Sequence, residues 1–273
     1  MECLWNNSTS GEFFASGVPF RMYYAKDLRD GRLPKFKMVV FVNQLQFDDP
    51  ICKGIQRLKE EGTTLVFMQS AGYLQSYTDM KRVSETIGIN LARMEQEAPN
   101  GVRLSAGYDN LKKWLTAPLA DPEKRRVQHG RAAGQLPYYD TGLTMDQEAG
   151  LQVVDAQAEA LAFYPGSSKV AAAVRDHGRY KTAFVGAYLL DRNVISELAS
   201  MAGAWRLAPP DNVVEANSKF IMIHPLESGA VDLQLKNEKI LVRYPDGDIK
   251  TPKSDHHTLR LSKDNTYLFR LMD

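Results

Sequence analysis

The stretch KFKMVVFVNQLQFDDPICKGIQRLKEEGTTLVFM, residues 35–68, decides the fold class. Met38 to Val42 form a continuous apolar run, the pattern of a central parallel strand buried on both faces. Asp48 or Asp49 can cap a following helix, and Pro50 suits its first turn. Ile51, Ile55 and Leu58 then recur at helical spacing, and Gly62 closes the helix. TTLVFM, residues 63–68, is a second buried strand. Strand, helix and strand in this order predict a right-handed crossover within an α/β sheet.

Upstream, PFRMYYA (19–25) is a short strand candidate, closed by Asp27 and the turn Asp30-Gly31. The lead-in MECLWNNSTSGEFF has neither a basic start nor a sustained apolar run, so it does not have the form of a signal peptide. It reads as the tail of a helix or as irregular chain. The first convincing strand comes only after Gly17, and the expectation is a chain that starts inside a larger architecture.

Downstream, residues 75–150 are polar and weakly periodic, with charged helical pieces around 79–97 and 109–114. The basic run Lys124-Arg125-Arg126 has no Gly-rich loop beside it and reads as a solvated face. Such a stretch is expected to be an irregular insertion on the α/β scaffold. After Gly150, LQVVDA, EALAFY, KVAAAVRD and YKTAFVGAY read as successive strands, with turn chemistry at Pro165-Gly166 and His177-Gly178. Asp191 can cap a helix over 193–203, with Val194, Leu198 and Met201 on one face.

Pro209-Pro210 ends that regime. From about 213 the period is that of strands: VVEAN, KFIMIHP, AVDLQL, KILVRYP, HTLRLS and TYLFRLM. Turns fall at Ser228-Gly229, Lys236-Asn237, Asp246-Gly247 and Asp264-Asn265. This spacing predicts a small antiparallel β-sandwich or barrel. Two domains are therefore expected, an α/β domain over 1–210 and an all-β domain over 211–273.

Bulk properties exclude several function classes. A formal net charge of +1 leaves no basic excess for a nucleic-acid partner. Cys3 and Cys52 are too few for a disulfide framework and stand in no metal-ligand spacing, so neither a metal nor a cofactor is expected. No run approaches the roughly 20 apolar residues of a membrane span.

The candidate chemistry is sparse. IHPLE, ending His224 to Glu227, invites comparison with the His-Pro-Glu segment of class I glutamine amidotransferases, whose His activates a cysteine. Here the spacing is one residue longer. A cysteine nucleophile also needs a sharp strand-to-helix elbow with small neighbours. Cys52 sits in the first turn of a helix and Cys3 in the lead-in, so no glutaminase chemistry is expected and His224 reads as a residue near a strand end. A retaining glycosidase needs two carboxylates about 5–5.5 Å apart. Asp140, Asp146, Glu148, Asp155 and Glu159 show no pattern that singles any of them out, and each reads as surface solubility.

MQSAGYLQSY (68–77) follows a buried strand, and in open parallel sheets ligands bind beyond the carboxyl ends of strands. Ser70, Gly72, Tyr73 and Tyr77 are the candidate ligand-binding residues there, the tyrosines offering stacking faces for sugar rings. The alternative is an ordinary strand-to-helix loop. Trp205 is expected to pack at the end of its helix, Trp114, Tyr138 and Tyr139 carry no pattern, and His256-His257 lacks further metal ligands.

The runs LPKFKMVVFVNQLQFDDPICKGIQRLKEEGTTLVFMQSAGYL (33–74) and KVAAAVRDHGRYKTAFVGAYLLDRNVISELASMAGA (169–204) resemble the β-galactosidase trimerisation domain, the middle domain of family 42 glycoside hydrolases. The resemblance brackets about 35–205 and does not extend through 75–150. The C-terminal strands resemble the small β domain that follows in such enzymes. The resemblance implies a class I glutamine amidotransferase-like (flavodoxin-like) parallel sheet with helices on both faces, without that class's nucleophile. It also implies a homo-oligomer, an upstream catalytic barrel in a parent protein, and a possible carbohydrate nearby. No catalytic carboxylate can be carried onto this chain, and the parent protein could be secreted. Three functions follow: a non-catalytic accessory and oligomerisation region, a stand-alone carbohydrate- or small-ligand-binding module, or a small hydrolase working from the 70–150 loops.

Overall fold

The computed structural model describes residues 7–42, 44–68, 71–72, 74–94, 103–104, 151–163, 168–186, 190 and 192–273. The chain divides into two compact units, Met1–Ser8 with Met22–Leu190, and Thr9–Arg21 with Asp191–Asp273.

Among the described residues the first unit is built on an eight-stranded mixed sheet. Strands β1 (Met38–Phe41), β2 (Thr64–Met68) and β8 (Lys181–Val185) are parallel neighbours in that order. Strand β8 continues antiparallel into β7 (Val170–Asp176), which pairs with β5 (Leu151–Val153) and β6 (Glu159–Phe163). Strand β3 (Leu91–Arg93) closes one edge on β5, and β4 (Arg103–Leu104) pairs with β6. The parallel sheet expected from the sequence is therefore mixed, parallel across β1, β2 and β8 and antiparallel beyond them. The short turn from Asp176 to Lys181 can join only antiparallel strands, because a parallel return needs a crossover of a dozen or more residues.

The strand at 64–68 is buried at every residue, as its unbroken apolar run requires. Strand β1 is instead the edge of the sheet and only Phe41 in it is buried, although its sequence predicts a central position. Between them lies α3 (Asp49–Glu60). Asp48 is its N-cap, with the carboxylate accepting from the Ile51 amide at 2.9 Å. Ile51, Ile55 and Leu58 face the core, each worth roughly 1.5–3 kcal/mol by burial. Helix α4 (Met80–Ile87) is capped by Asp79 and ends at Gly88, so the helical piece expected over 79–97 stops early and gives way to β3. Helices α2 (Ala25–Arg29), α3 and α4 share one core with Phe41, Leu65, Phe67 and Phe184. Phe41, Phe67 and Phe184 register with one another across β1, β2 and β8, and Leu65 lies two residues before Phe67 on the same face, so the described helices of this unit cover one face. Phe41 stacks on Phe67 at 4.6 Å and 7°.

PFRMYYA does not form a strand. Residues 18–24 have no ladder partner and Ala25 already begins α2. The piece around 109–114, Lys124-Arg125-Arg126 and Pro165-Gly166 lie outside the described residues.

The second unit contains α1 (Asn7–Phe14) from Thr9 onward, α5 (Arg192–Met201), and a five-stranded antiparallel sheet in the order β12-β11-β13-β10-β9. The strands are β9 (Asn212–Ala216), β10 (Phe220–Pro225), β11 (Gly229–Arg243), β12 (Ser254–Leu261) and β13 (Tyr267–Met272). The turn expected at Lys236-Asn237 is absent. One continuous β11 runs through it, pairing with β12 from Gly229 to Gln234 and again at Lys239, with a register shift between, and with β13 from Ile240 to Arg243. Exposed Lys236, Asn237 and Glu238 occupy the irregular stretch where the β11–β12 register shifts. Val231, Leu233, Leu241, Leu259 and Phe269 fill its core. Trp205 packs against this core, and its indole donates to the Gln234 carbonyl at 2.6 Å, so it is anchored on β11 rather than at a helix end. Glu12 holds Arg192 through Nε at 3.0 Å, Nη2 at 3.2 Å and the backbone amide at 2.9 Å.

Candidate ligand rim at the strand ends

The loops that follow β1 and β2 are stitched into one rim. The Gly72 amide donates to the Gln44 carbonyl at 2.8 Å and the Leu74 amide to the Leu45 carbonyl at 3.2 Å. The Gln75 side chain accepts from the Phe47 amide at 3.0 Å, and the Ser76 amide donates back to the Gly72 carbonyl at 2.9 Å. Gly72 has φ +69°, and a Cβ there would meet Phe47 and Val83 at 2.8 Å. It is buried, and its positive φ and close packing hold the rim's backbone. Ser70 and Tyr73 lie outside the described residues.

Of the described candidates, Tyr77 reaches solvent, with 58% of its surface exposed. The Arg93 guanidinium lies over its ring, 3.3 Å from the centroid, and donates to the Ser76 hydroxyl at 2.7 Å. Exposed Leu74 stands on the same loop. A rigid aromatic plane held from behind by a hydrogen-bonded guanidinium can stack the apolar face of a pyranose ring. The sequence reading missed Arg93. Its only signal is a cation at the end of a three-residue strand, and it meets Ser76 only because β3 runs back toward the rim.

At the other end of the same sheet lies a second polar cluster. The Asp155 side chain is 2% exposed, and burial opposes its ionisation. The amides of Asn90 and Gln157, both at 2.9 Å, and Arg175 at 2.8 Å outweigh that, holding the carboxyl below its usual range. Asp155 is thus an internal tie, which corrects its reading as a surface charge; Glu159 is exposed, and Asp140, Asp146 and Glu148 lie outside the described residues. Burial lowers the Lys59 ammonium to a pKa of about 8 while it donates to the Thr86 carbonyl at 2.7 Å.

The remaining candidates occupy structural positions. Cys52 sits in the first turn of α3, 3.5 Å from the Thr86 hydroxyl, and belongs to the first unit. His224 lies on β10 in the second unit, 3.0 Å from the Thr266 hydroxyl. His257 is buried and its Nε2 lies 2.9 Å from the Ser254 carbonyl, while His256 is exposed; adjacent strand residues face opposite ways and do not converge on one ion. Among the described residues no three His, Cys, Asp or Glu gather as metal ligands, and no helix is long and apolar enough to cross a membrane. Trp114, Tyr138 and Tyr139 lie outside the described residues.

No protein-family model and no curated protein sequence matches the chain. Solved structures do. A β-galactosidase from Bacillus circulans sp. alkalophilus superposes with a TM-score of 0.61 at 11% identity, over 97% of this chain and 36% of that one. A catalytic mutant of Gan42B, a GH42 β-galactosidase from G. stearothermophilus, gives 0.52 at 12% identity, over 97% and 36%. The α-L-fucosidase isoenzyme 2 from Paenibacillus thiaminolyticus gives 0.56 at 11% identity, over 97% and 44%. At these identities the likeness is one of fold. The chain is folded like a part of GH42 β-galactosidases, and spans little more than a third of their length.

Proposed function

We propose that this chain is a non-catalytic accessory region of glycoside-hydrolase architecture, equivalent to the β-galactosidase trimerisation domain and the small β domain after it. On this reading the β1–β2–β8 core is a class I glutamine amidotransferase-like sheet without a nucleophile. The chain associates with copies of itself and works beside a catalytic barrel in a parent protein. The observation that carries the reading is coverage: 97% of the chain matches, yet it accounts for 36% of the B. circulans β-galactosidase. The separation of Cys52 and His224 into different units supports the lack of amidotransferase chemistry.

The test is direct. Purified chain should leave an aryl β-galactoside intact and should run as an oligomer by light scattering. Turnover of the galactoside would overturn the non-catalytic reading, and a strictly monomeric mass would remove the assembly role.

A second reading is favoured by Tyr77 and Arg93. The rim is a carbohydrate-stacking surface, either in a stand-alone module or at the border of the parent's sugar site. Binding on a glycan array that disappears in Tyr77→Ala would establish it, and binding that persists would place the sugar elsewhere.

A further inference from the structure

At the amino ends of the parallel strands, the turn from β7 to β8 packs against the carboxyl end of α4. The His177 amide donates to the Tyr180 carbonyl at 2.9 Å and closes the turn. The His177 ring stacks on Tyr180, centroids 4.3 Å apart and 10° from parallel, and its Nε2 lies 2.9 Å from the Thr182 hydroxyl. The same turn faces Lys59 of α3, whose ammonium is 5.8 Å from the Tyr180 centroid. Gly88, the C-cap of α4, marks where they meet. A Cβ built there would stand 3.3 Å from His177 Nε2 and 3.5 Å from Lys59 Nζ, so both nitrogens lie close to one point.

A helix carboxyl end attracts one positive charge readily. Lys59 already takes that place, donating to the carbonyls of Thr86 at 2.7 Å and Glu85 at 3.3 Å. Arg175 adds a guanidinium reaching the Gly88 carbonyl at 3.5 Å. The nearby carboxylates are committed. Asp155 is paired with Arg175 at 2.8 Å; Asp176 accepts from the Gly178 amide at 2.7 Å and pairs with Lys181 at 3.5 Å. A proton on His177 would therefore add a further cation beside Arg175 and Lys59, with Asp155 and Asp176 offsetting only part of the repulsion. Burial, Arg175 and Lys59 together hold the imidazole below its ordinary titration range.

We propose that the β7–β8 turn is an acid-sensitive latch: His177 and Lys59 compete for positive charge at the end of α4, and protonation of His177 opens the turn. At neutral pH the imidazole is uncharged, stacked and bonded to Thr182. As pH falls, the imidazolium is repelled by Lys59 and Arg175, and the turn loosens while the paired strands behind it hold.

Proton NMR titration of His177 in the full chain, with amide exchange of the same residue, tests this. The His177 midpoint should lie below that of an unperturbed histidine, and Lys59→Met should raise it by roughly 0.5–1.5 pH units. Between pH 7.5 and 5, exchange protection of the His177 amide should fall about tenfold more than intrinsic chemistry accounts for. In His177→Gln the residue 177 amide should show no such excess. A midpoint at or above the ordinary value, or an equal loss of protection in His177→Gln, overturns the latch. Should Lys59→Met fail to fold, the wild-type titration and His177→Gln still decide the matter.

Discussion

Arg93 lies against the ring of Tyr77 with its guanidinium carbon 3.3 Å from the centroid, while 58% of the tyrosine remains open to solvent. Exposed side chains rarely carry folding stability, so Tyr77→Ala should lower it by under about 1 kcal/mol in chemical denaturation. The same substitution should abolish sugar binding if the rim is a stacking surface. Arg93→Ala should weaken it without removing it, because the ring stays but loses its backing.

Gly17 makes a sharper stability prediction. It has φ +72°, and a Cβ there would stand 2.1 Å from the Ala208 carbonyl oxygen and 2.5 Å from that of Pro209. Backbone cannot move aside as a flexible side chain can, so Gly17→Ala should cost at least about 3 kcal/mol. Gly247→Ala is the control: φ is +70°, but the nearest atom is 4.0 Å away, and only the conformational penalty of about 1 kcal/mol should appear. Equal losses in the two variants would contradict this account.

Removing the partner of a buried carboxylate should be severe. The Glu12 side chain is 3% exposed and held by Arg192. Arg192→Met should cost about 1.5–3 kcal/mol by removing the guanidinium that donates to this buried carboxylate through Nε and Nη2. Adding Glu12→Gln should recover part of the loss, and a double-mutant cycle measures how much.

Two groups of the sheet's amino end give opposite pH dependences. Asp155 has a folded pKa held below its unfolded value, so its contribution is present above about pH 4 and is lost as pH falls through the folded value. Lys59 runs the other way. Its pKa of about 8 lies below the ordinary 10.5, so the folded chain carries a penalty while both forms are charged. That penalty is relieved as pH rises from 8 toward 10.5, and stability should gain up to about 3 kcal/mol from this group. Denaturant titrations at pH 7.5 and 10 should show the gain in wild type and its absence in Lys59→Met.

How far the sequence speaks depends on whether a feature is set locally. The β2 run and the Asp48 cap were legible because one residue pattern and one side chain suffice to produce them. The place of β1 in the sheet was not. Met38 to Val42 look the same whether one neighbour pairs with them or two, and the sheet supplies one. PFRMYYA carries strand residues, but a strand needs a partner and none reaches residues 18–24. At Lys236-Asn237 the polar residues are real, yet they make a shift within the β11–β12 ladder because β12 pairs with β11 on both sides of them. The place of the 68–77 loop, directly after the buried strand β2, was legible from that strand's apolar run. Gly72 and Arg93 owe their roles to Phe47, Val83 and Ser76, contacts between separate segments of the chain.

The antiparallel sheet has its order of assembly written into its layout. Strand β13 is the last of the five in sequence, yet it lies between β11 and β10. During synthesis the hairpins β9–β10 and β11–β12 emerge first and can each close, but nothing joins them. The second unit therefore completes its sheet only after β13 has left the ribosome, when one strand arriving late zips two waiting hairpins together.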